Sequence, residues 1–229
     1  MAGASHLSIN LFPMAMLLIL YFDNLKNADG LPSARLFRRV ILLTMGLLAA
    51  DALVRLLNGG SFFMAGPLLW VVHFTYMLCV GVNGAAWLAY VYERSRDGKG
   101  IRWQHHRGGG LPAALAVYLL LLTLIACAGW LYTIDGENQS RRGILSFLPY
   151  LFTGGLELGG ICCALWQAGR ARTHDKRREY FSLASFCLLP MAGAVIQGLF
   201  HDWRLCGPFT ALSVLMVHVN IQNHRITTD

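Results

Sequence analysis

Asp51 and Arg55 stand four residues apart, so a helix places them on one face. They are either an ion pair that neutralises itself or the polar wall of a pocket. Glu157 lies alone in an apolar run, flanked by Gly154, Gly155, Gly159 and Gly160, which would let helices approach closely. It either fixes packing by a hydrogen bond or meets a ligand or a proton. His73 sits among apolar residues, where a hydrogen-bonded core histidine competes with a ligand contact. Gln197 precedes His201, Asp202, Trp203 and Arg204 by about one helical turn. Such side chains gathered in one cavity would suit a small polar or zwitterionic ligand, with Arg55 or Arg204 meeting an anion. Asp51, Arg55, His73, Glu157, Gln197, His201, Asp202 and Arg204 are therefore the candidate ligand-binding residues. Each costs free energy in an apolar segment, about 2.5–3.5 kcal/mol for a centrally placed Asp or Arg, and so demands a reason.

Other chemistries find no support. Lys26, Lys99 and Lys176 all lie between apolar segments, so no lysine is placed for a retinal Schiff base. There is no HExxH, GxSxG or phosphate-binding glycine loop. Cys79, Cys127, Cys162, Cys163, Cys187 and Cys206 lie in or beside apolar runs without metal-ligand spacing, and read as small packing residues. His105 and His106 beside Trp103 belong to a solvated basic loop. A His/Asp metal hydrolase would need His73, Glu157, His201, Asp202 and His218 at one depth, and their places in the apolar runs differ. No catalytic residue, metal or cofactor is expected.

The elements that must position these residues are membrane helices. Of 229 residues, 55% are hydrophobic and 14% charged, against about 25% charged in soluble domains, and mean hydropathy is +0.49. That excludes an ordinary soluble enzyme, a disordered chain and a disulfide-stapled secreted module. The net charge of +7 falls in short tracts between apolar runs, which argues topology rather than nucleic acid. Seven runs approach the ~20 residues a bilayer requires: about 6–22, 36–57, 63–92, 111–133, 144–168, 180–200 and 206–221. Pro67, Pro112, Pro149 and Pro208 fit first turns, and Pro190 predicts a kink inside the sixth run. Trp70, Trp87, Trp130, Trp166 and Trp203 read mostly as an interfacial belt.

Basic residues mark the sides. Fifteen of the nineteen fall in the first, third and fifth connections and the C-terminal tail; the other side holds only Arg55, Arg141, Arg142 and Arg204. The positive-inside rule places the N-terminus outside and the C-terminus in the cytoplasm. The expected fold is an all-α, integral membrane seven-helix bundle in the plasma (inner) membrane. Asn138-Gln139-Ser140 matches a glycosylation sequon, but nothing else points to a eukaryotic secretory route.

The segment Val217–Asp229 leaves the last run as a helix with nothing to cap it. Ile221-Gln222 followed by Arg225-Ile226-Thr227-Thr228-Asp229 resembles the junction between the last span and the catalytic domain of membrane-bound GGDEF-type diguanylate cyclases, with Asp229 as that domain's opening Asp. Leu189-Pro190, Ile196-Gln197, Gly207-Pro208 and Tyr21-Phe22-Asp23-Asn24 are similar to seven-span sensors of this group. The resemblance implies a sensor domain over residues 1–222, with residues 223–229 opening a linker to a cytoplasmic output domain. This stretch is itself no enzyme. A histidine kinase or another output domain could follow the same sensor.

The resemblance also implies a homodimer through the last helix, with a small-molecule ligand outside or within the membrane shifting that helix. Pro190, Gly207, Pro208 and Gln222 are the expected transmission positions, with Gly193 a further pivot. A transporter would need a polar path across the whole membrane, and the inner polar candidates besides Glu157 are Asn83, His218 and Asn220. An intramembrane enzyme would need a converging nucleophile and base.

Overall fold

The computed structural model of the chain describes residues 2–27, 32–60, 64–95, 110–199 and 205–226. The protein is a mostly helical, multi-pass membrane bundle. Its helices are α1 (Ala2–Asn27), α2 (Pro32–Leu57), α3 (Ala65–Arg94), α4 (Gly110–Cys127), α5 (Leu148–Arg170), α6 (His174–Phe186), α7 (Leu188–Leu199) and α8 (Cys206–Ile226). Five stretches are long and apolar enough to cross a bilayer: α2, α3, α4, α5 and the joined α6–α7; Cys206–Asn220 of α8 is a shorter apolar helix. At 1.5 Å per residue α3 is about 45 Å long, beyond the ~30 Å hydrocarbon core, so it tilts or protrudes.

The fourth run stops earlier than its hydropathy suggests. Trp130, Leu131 and Tyr132 continue the apolar character, but Gly129 turns the chain with φ 71°. The Gly129 N–H donates to Ala126 O at 3.1 Å and the Trp130 N–H to Ile125 O at 3.1 Å. This is the paired-bond Schellman ending that glycine favours. The chain then forms an antiparallel hairpin, β1 (Tyr132–Ile134) and β2 (Ser140–Arg142), with Thr133 opposite Arg141. The hairpin, a departure from the all-α expectation, seals one end of the bundle. Asn138 Nδ2 donates to Gly60 O at 2.9 Å, Ser140 N to Asn58 Oδ1 at 2.8 Å, and Tyr132 Oη to Trp70 O at 2.9 Å. The Asn138 amide of the sequon is thus spent on the α2–α3 loop.

Two apolar cores hold the bundle. One, built around Leu17, Phe37, Ile41, Trp87, Tyr90, Tyr180 and Val217, joins α1, α2, α3, α6 and α8. Trp87 belongs to it, 8% exposed, rather than to an interfacial belt. The second, around Leu47, Tyr76, Met77, Tyr118 and Leu122, joins α2, α3, α4 and the hairpin. There Gly81 admits the Tyr118 ring, which any Cβ would strike, and Tyr118 Oη donates to Met77 O at 2.7 Å. At the other end of the bundle Arg94 pairs with Glu179 at 2.6 Å, and His218 with Asp23 at 2.9 Å.

Candidate functional site

α5 and α7 splay apart and leave a cleft of about 440 Å³. Its walls are mainly apolar: Phe147, Leu151 and Leu158 from α5, Met191 and Val195 from α7. Glu157 stands at its floor, 8% exposed. Among the described residues the Glu157 carboxyl has no hydrogen-bond or ion-pair partner. The glycines around it do not bring helices together as their spacing suggests. A Cβ on Gly154 or Gly155 would meet nothing within 4 Å, so these two open the cleft. Gly159 and Gly160 see only Leu88 Cδ1 at 3.9 Å and, for Gly160, Cys187 Sγ at 3.8 Å.

The cleft continues towards the hairpin end. A second cavity of about 450 Å³ shares Phe147, Tyr150 and Ala194 with it and adds Arg142, Ser146 and Gln197. One groove therefore runs from a basic, hydrogen-bonding mouth to a carboxyl in the apolar interior. Its polar wall is braced: Gln197 Nε2 donates to Tyr150 Oη at 3.0 Å, and the Tyr150 and Tyr76 hydroxyls lie 3.3 Å apart. Gln197 Oε1 also accepts the Cys206 N–H at 3.2 Å, satisfying a donor at the start of α8.

A small cavity of about 20 Å³ also lies against Glu157. Asn83, Thr210, Ser213 and Glu157 supply its polar lining, and Pro190 forms part of both cavities. Asn83 Nδ2 donates to Thr44 Oγ1 at 3.3 Å, so α2 and α3 share a buried polar contact here.

The expected site residues divide. Glu157 and Gln197 share the groove. Asp51 and Arg55 are elsewhere: Arg55 Nε bonds Asp51 Oδ2 at 3.1 Å, and Asn10 Nδ2 bonds the same oxygen at 2.8 Å. This ion pair ties α1 to α2. His73 stacks on Tyr132 with ring centroids 4.3 Å apart and meets Tyr76 edge-on, which fastens α3 to the hairpin. His201, Asp202 and Arg204 lie outside the described residues. Gly207 packs closely on α2, where a Cβ would come 2.9 Å from Leu48 Cδ2. Pro208 sits in the first turn of α8, and Gln222 in its last turns.

Sequence reasoning missed Tyr150, Thr210 and Ser213. Each is a lone hydroxyl in an apolar run, a type that commonly serves its own backbone, and no spacing distinguishes the three.

Among the described residues no three His, Cys, Asp or Glu side chains form a metal-ligand group. No family model matches the chain, and no curated protein matches it.

Proposed function

We propose that this chain is a membrane sensory module. A small ligand enters the groove between α5 and α7, meets Glu157 at its floor, and changes how α8 leaves the membrane. The observation that carries this reading is the buried Glu157 carboxyl without a hydrogen-bond partner, at the base of a cavity of about 440 Å³. Small-molecule sites fall at ~300–1,000 Å³ and combine apolar walls with a few placed polar groups.

Transmission follows from the packing. α7 meets α8 at Gly193, where a Cβ would lie 3.0–3.1 Å from Phe209 and Cys206. Gln197 joins the groove wall to the first amide of α8. A ligand wedged against α7 therefore acts on α8, provided it binds one arrangement better than the other. At its far end α8 is held by the His218–Asp23 pair and by stacking of His218 on Phe37, with ring centroids 6.2 Å apart.

With α1 counted as a span and α6–α7 as one broken span, seven rods result, and the basic loops orient them with the N-terminus outside. In that orientation the mouth at Arg142 and Gln197 faces outwards. The output is a diguanylate cyclase by the resemblance at Ile221–Asp229, and its cooperation in pairs calls for a second copy. Leu212, Met216 and Val219, exposed at 39%, 45% and 46%, give α8 an apolar stripe for that contact.

The test is a fusion of this chain to a diguanylate cyclase domain, with cyclic di-GMP measured across a panel of growth media. Gly154→Leu fills the cleft without displacing backbone. We expect an inserted protein whose output no longer varies between media. A Gly154→Leu fusion that tracks the parent in every medium would remove the cleft as the input.

A further inference from the structure

The turn between α5 and α6 gathers positive charge far along α5 from the groove mouth. Residues 170–178 carry five basic side chains against one acidic. Only Ala171, Arg172 and Thr173 join Arg170, the last residue of α5, to His174, the first of α6. So short a link keeps the two helix ends side by side, and Tyr180 Oη fastens α6 to Ser95 O at 3.3 Å. A cavity of about 430 Å³ lies in this corner. Arg170, Arg172 and Lys176 line it together with Gln167, Thr173 and Tyr180, and no carboxylate does so among the described residues. Asp175 shares the first turn of α6 without lining the cavity, and Glu179 is paired with Arg94. Neither Arg172 nor Lys176 has an ion-pair partner among the described residues.

Cations on several sides of one cavity call for an anion with several oxygens, and guanidinium and ammonium groups recognise phosphate. The surroundings point to its source. The Arg170 guanidinium lies over the Trp166 ring, 3.8 Å from its centre, and Trp166 is 55% exposed. An exposed indole at the end of a membrane helix sits at headgroup depth. Leu165 and Phe181, also exposed, carry that apolar surface inward along α5 and α6. A free phosphate would use the cations alone. A lipid uses both features, its phosphate among the basic side chains and its acyl chains against the apolar ones. Basic pockets between membrane helices hold anionic headgroups in this way.

We infer that this cavity is a binding site for one anionic membrane lipid, its phosphate held by Arg170, Arg172 and Lys176. The lipid clasps the end of α5 to the start of α6. This assignment stands on the cavity, its charge and the membrane setting, and does not depend on the sensor reading.

The test uses the purified full chain, delipidated in an uncharged detergent and titrated with phosphatidylglycerol or phosphatidylcholine. Native mass spectrometry counts the bound lipid, and thermal unfolding is followed alongside. The expected result is about one phosphatidylglycerol per chain, held in preference to phosphatidylcholine, with a saturable rise of the unfolding midpoint. Arg172→Gln with Lys176→Gln, both exposed, should weaken that binding about tenfold or more. Arg35→Gln with Arg39→Gln, exposed in the first turns of α2, should leave it unchanged. Equal retention of the two lipids would overturn the site, as would undiminished binding after the Arg172 and Lys176 substitutions. An equal loss after the Arg35 and Arg39 substitutions would reduce the effect to general charge attraction and overturn it too. Displacement of the lipid by inorganic phosphate, where chloride of equal ionic strength displaces none, would make free phosphate the occupant and reject the lipid.

Discussion

Ser213 Oγ donates to the backbone carbonyl of Phe186 at 2.8 Å. That carbonyl is the one a helical residue 190 would bond, and residue 190 is a proline without an N–H. The proline ring also crowds that carbonyl, and the helix breaks at Cys187 between α6 and α7. A hydroxyl from α8 thus repairs the gap that Pro190 opens in α7, as spans containing proline require. The same pair binds α8 to the break between α6 and α7, and Ser213 and Glu157 line one small cavity.

Removing that hydroxyl leaves a buried carbonyl unsatisfied. Ser213→Ala should cost about 1–3 kcal/mol. Pro190→Ala restores the missing N–H, so the serine substitution should cost less on that background. A double-mutant cycle by reversible unfolding in detergent measures the coupling. Additive effects would break the link between Pro190 and Ser213.

At Gly81 the constraint is steric. Gly81→Ala drives a methyl into the Tyr118 ring, and overpacking of this kind costs about 1–3 kcal/mol. Tyr118→Phe loses the bond to Met77 O and should cost only about 0.5–1.5 kcal/mol. Unfolding midpoints of the two variants should rank in that order, with α4 the first helix to lose protection from hydrogen exchange.

Arg55 and Glu157 should behave oppositely. Arg55→Gln takes the guanidinium from Asp51, which is 4% exposed and also accepts from Asn10 Nδ2. It should lower stability, with the dependence of output on growth medium intact. Glu157→Gln should remove that dependence while the protein still inserts. Fusion output and detergent unfolding, measured on both variants, separate the two roles. Loss of the medium dependence in Arg55→Gln alone would move the input site to the Asp51 pair.

The hairpin turn should open in acid. Asp135 accepts the Gln139 N–H at 2.9 Å and the Glu137 N–H at 3.1 Å, with Arg141 at 3.3 Å. These contacts, the Gln139 bond foremost, hold its carboxyl below the usual 3.8. A folded pKa below the unfolded one stabilises the turn above pH 3.8, and the contribution is lost as pH falls through the folded value. Protection of the Glu137 and Gln139 amides, relative to their intrinsic exchange rates, should fall below that range. Asp135→Asn should lower that protection at neutral pH and remove most of its pH dependence.

What the sequence determined is local and additive. Hydropathy summed over a span located the apolar helices, though it overran the end of α4 by six residues, because burial in lipid depends on composition rather than on partners. Pro190 announced the break between α6 and α7, since a missing N–H acts wherever it sits. Gly129 carried the signal that ends α4, although the apolar residues after it masked that signal.

Tertiary structure alone decided which polar residues meet. Asp51, His73 and Glu157 all qualify by type, yet Asp51 pairs with Arg55, His73 stacks on Tyr132, and Glu157 lines the cleft between α5 and α7. That outcome depends on the rotation of each helix about its axis and on the separation of α5 from α7. Both are set by side-chain packing between distant segments, such as Tyr118 against Gly81 and Phe209 against Gly193, for which no single stretch of sequence holds the information.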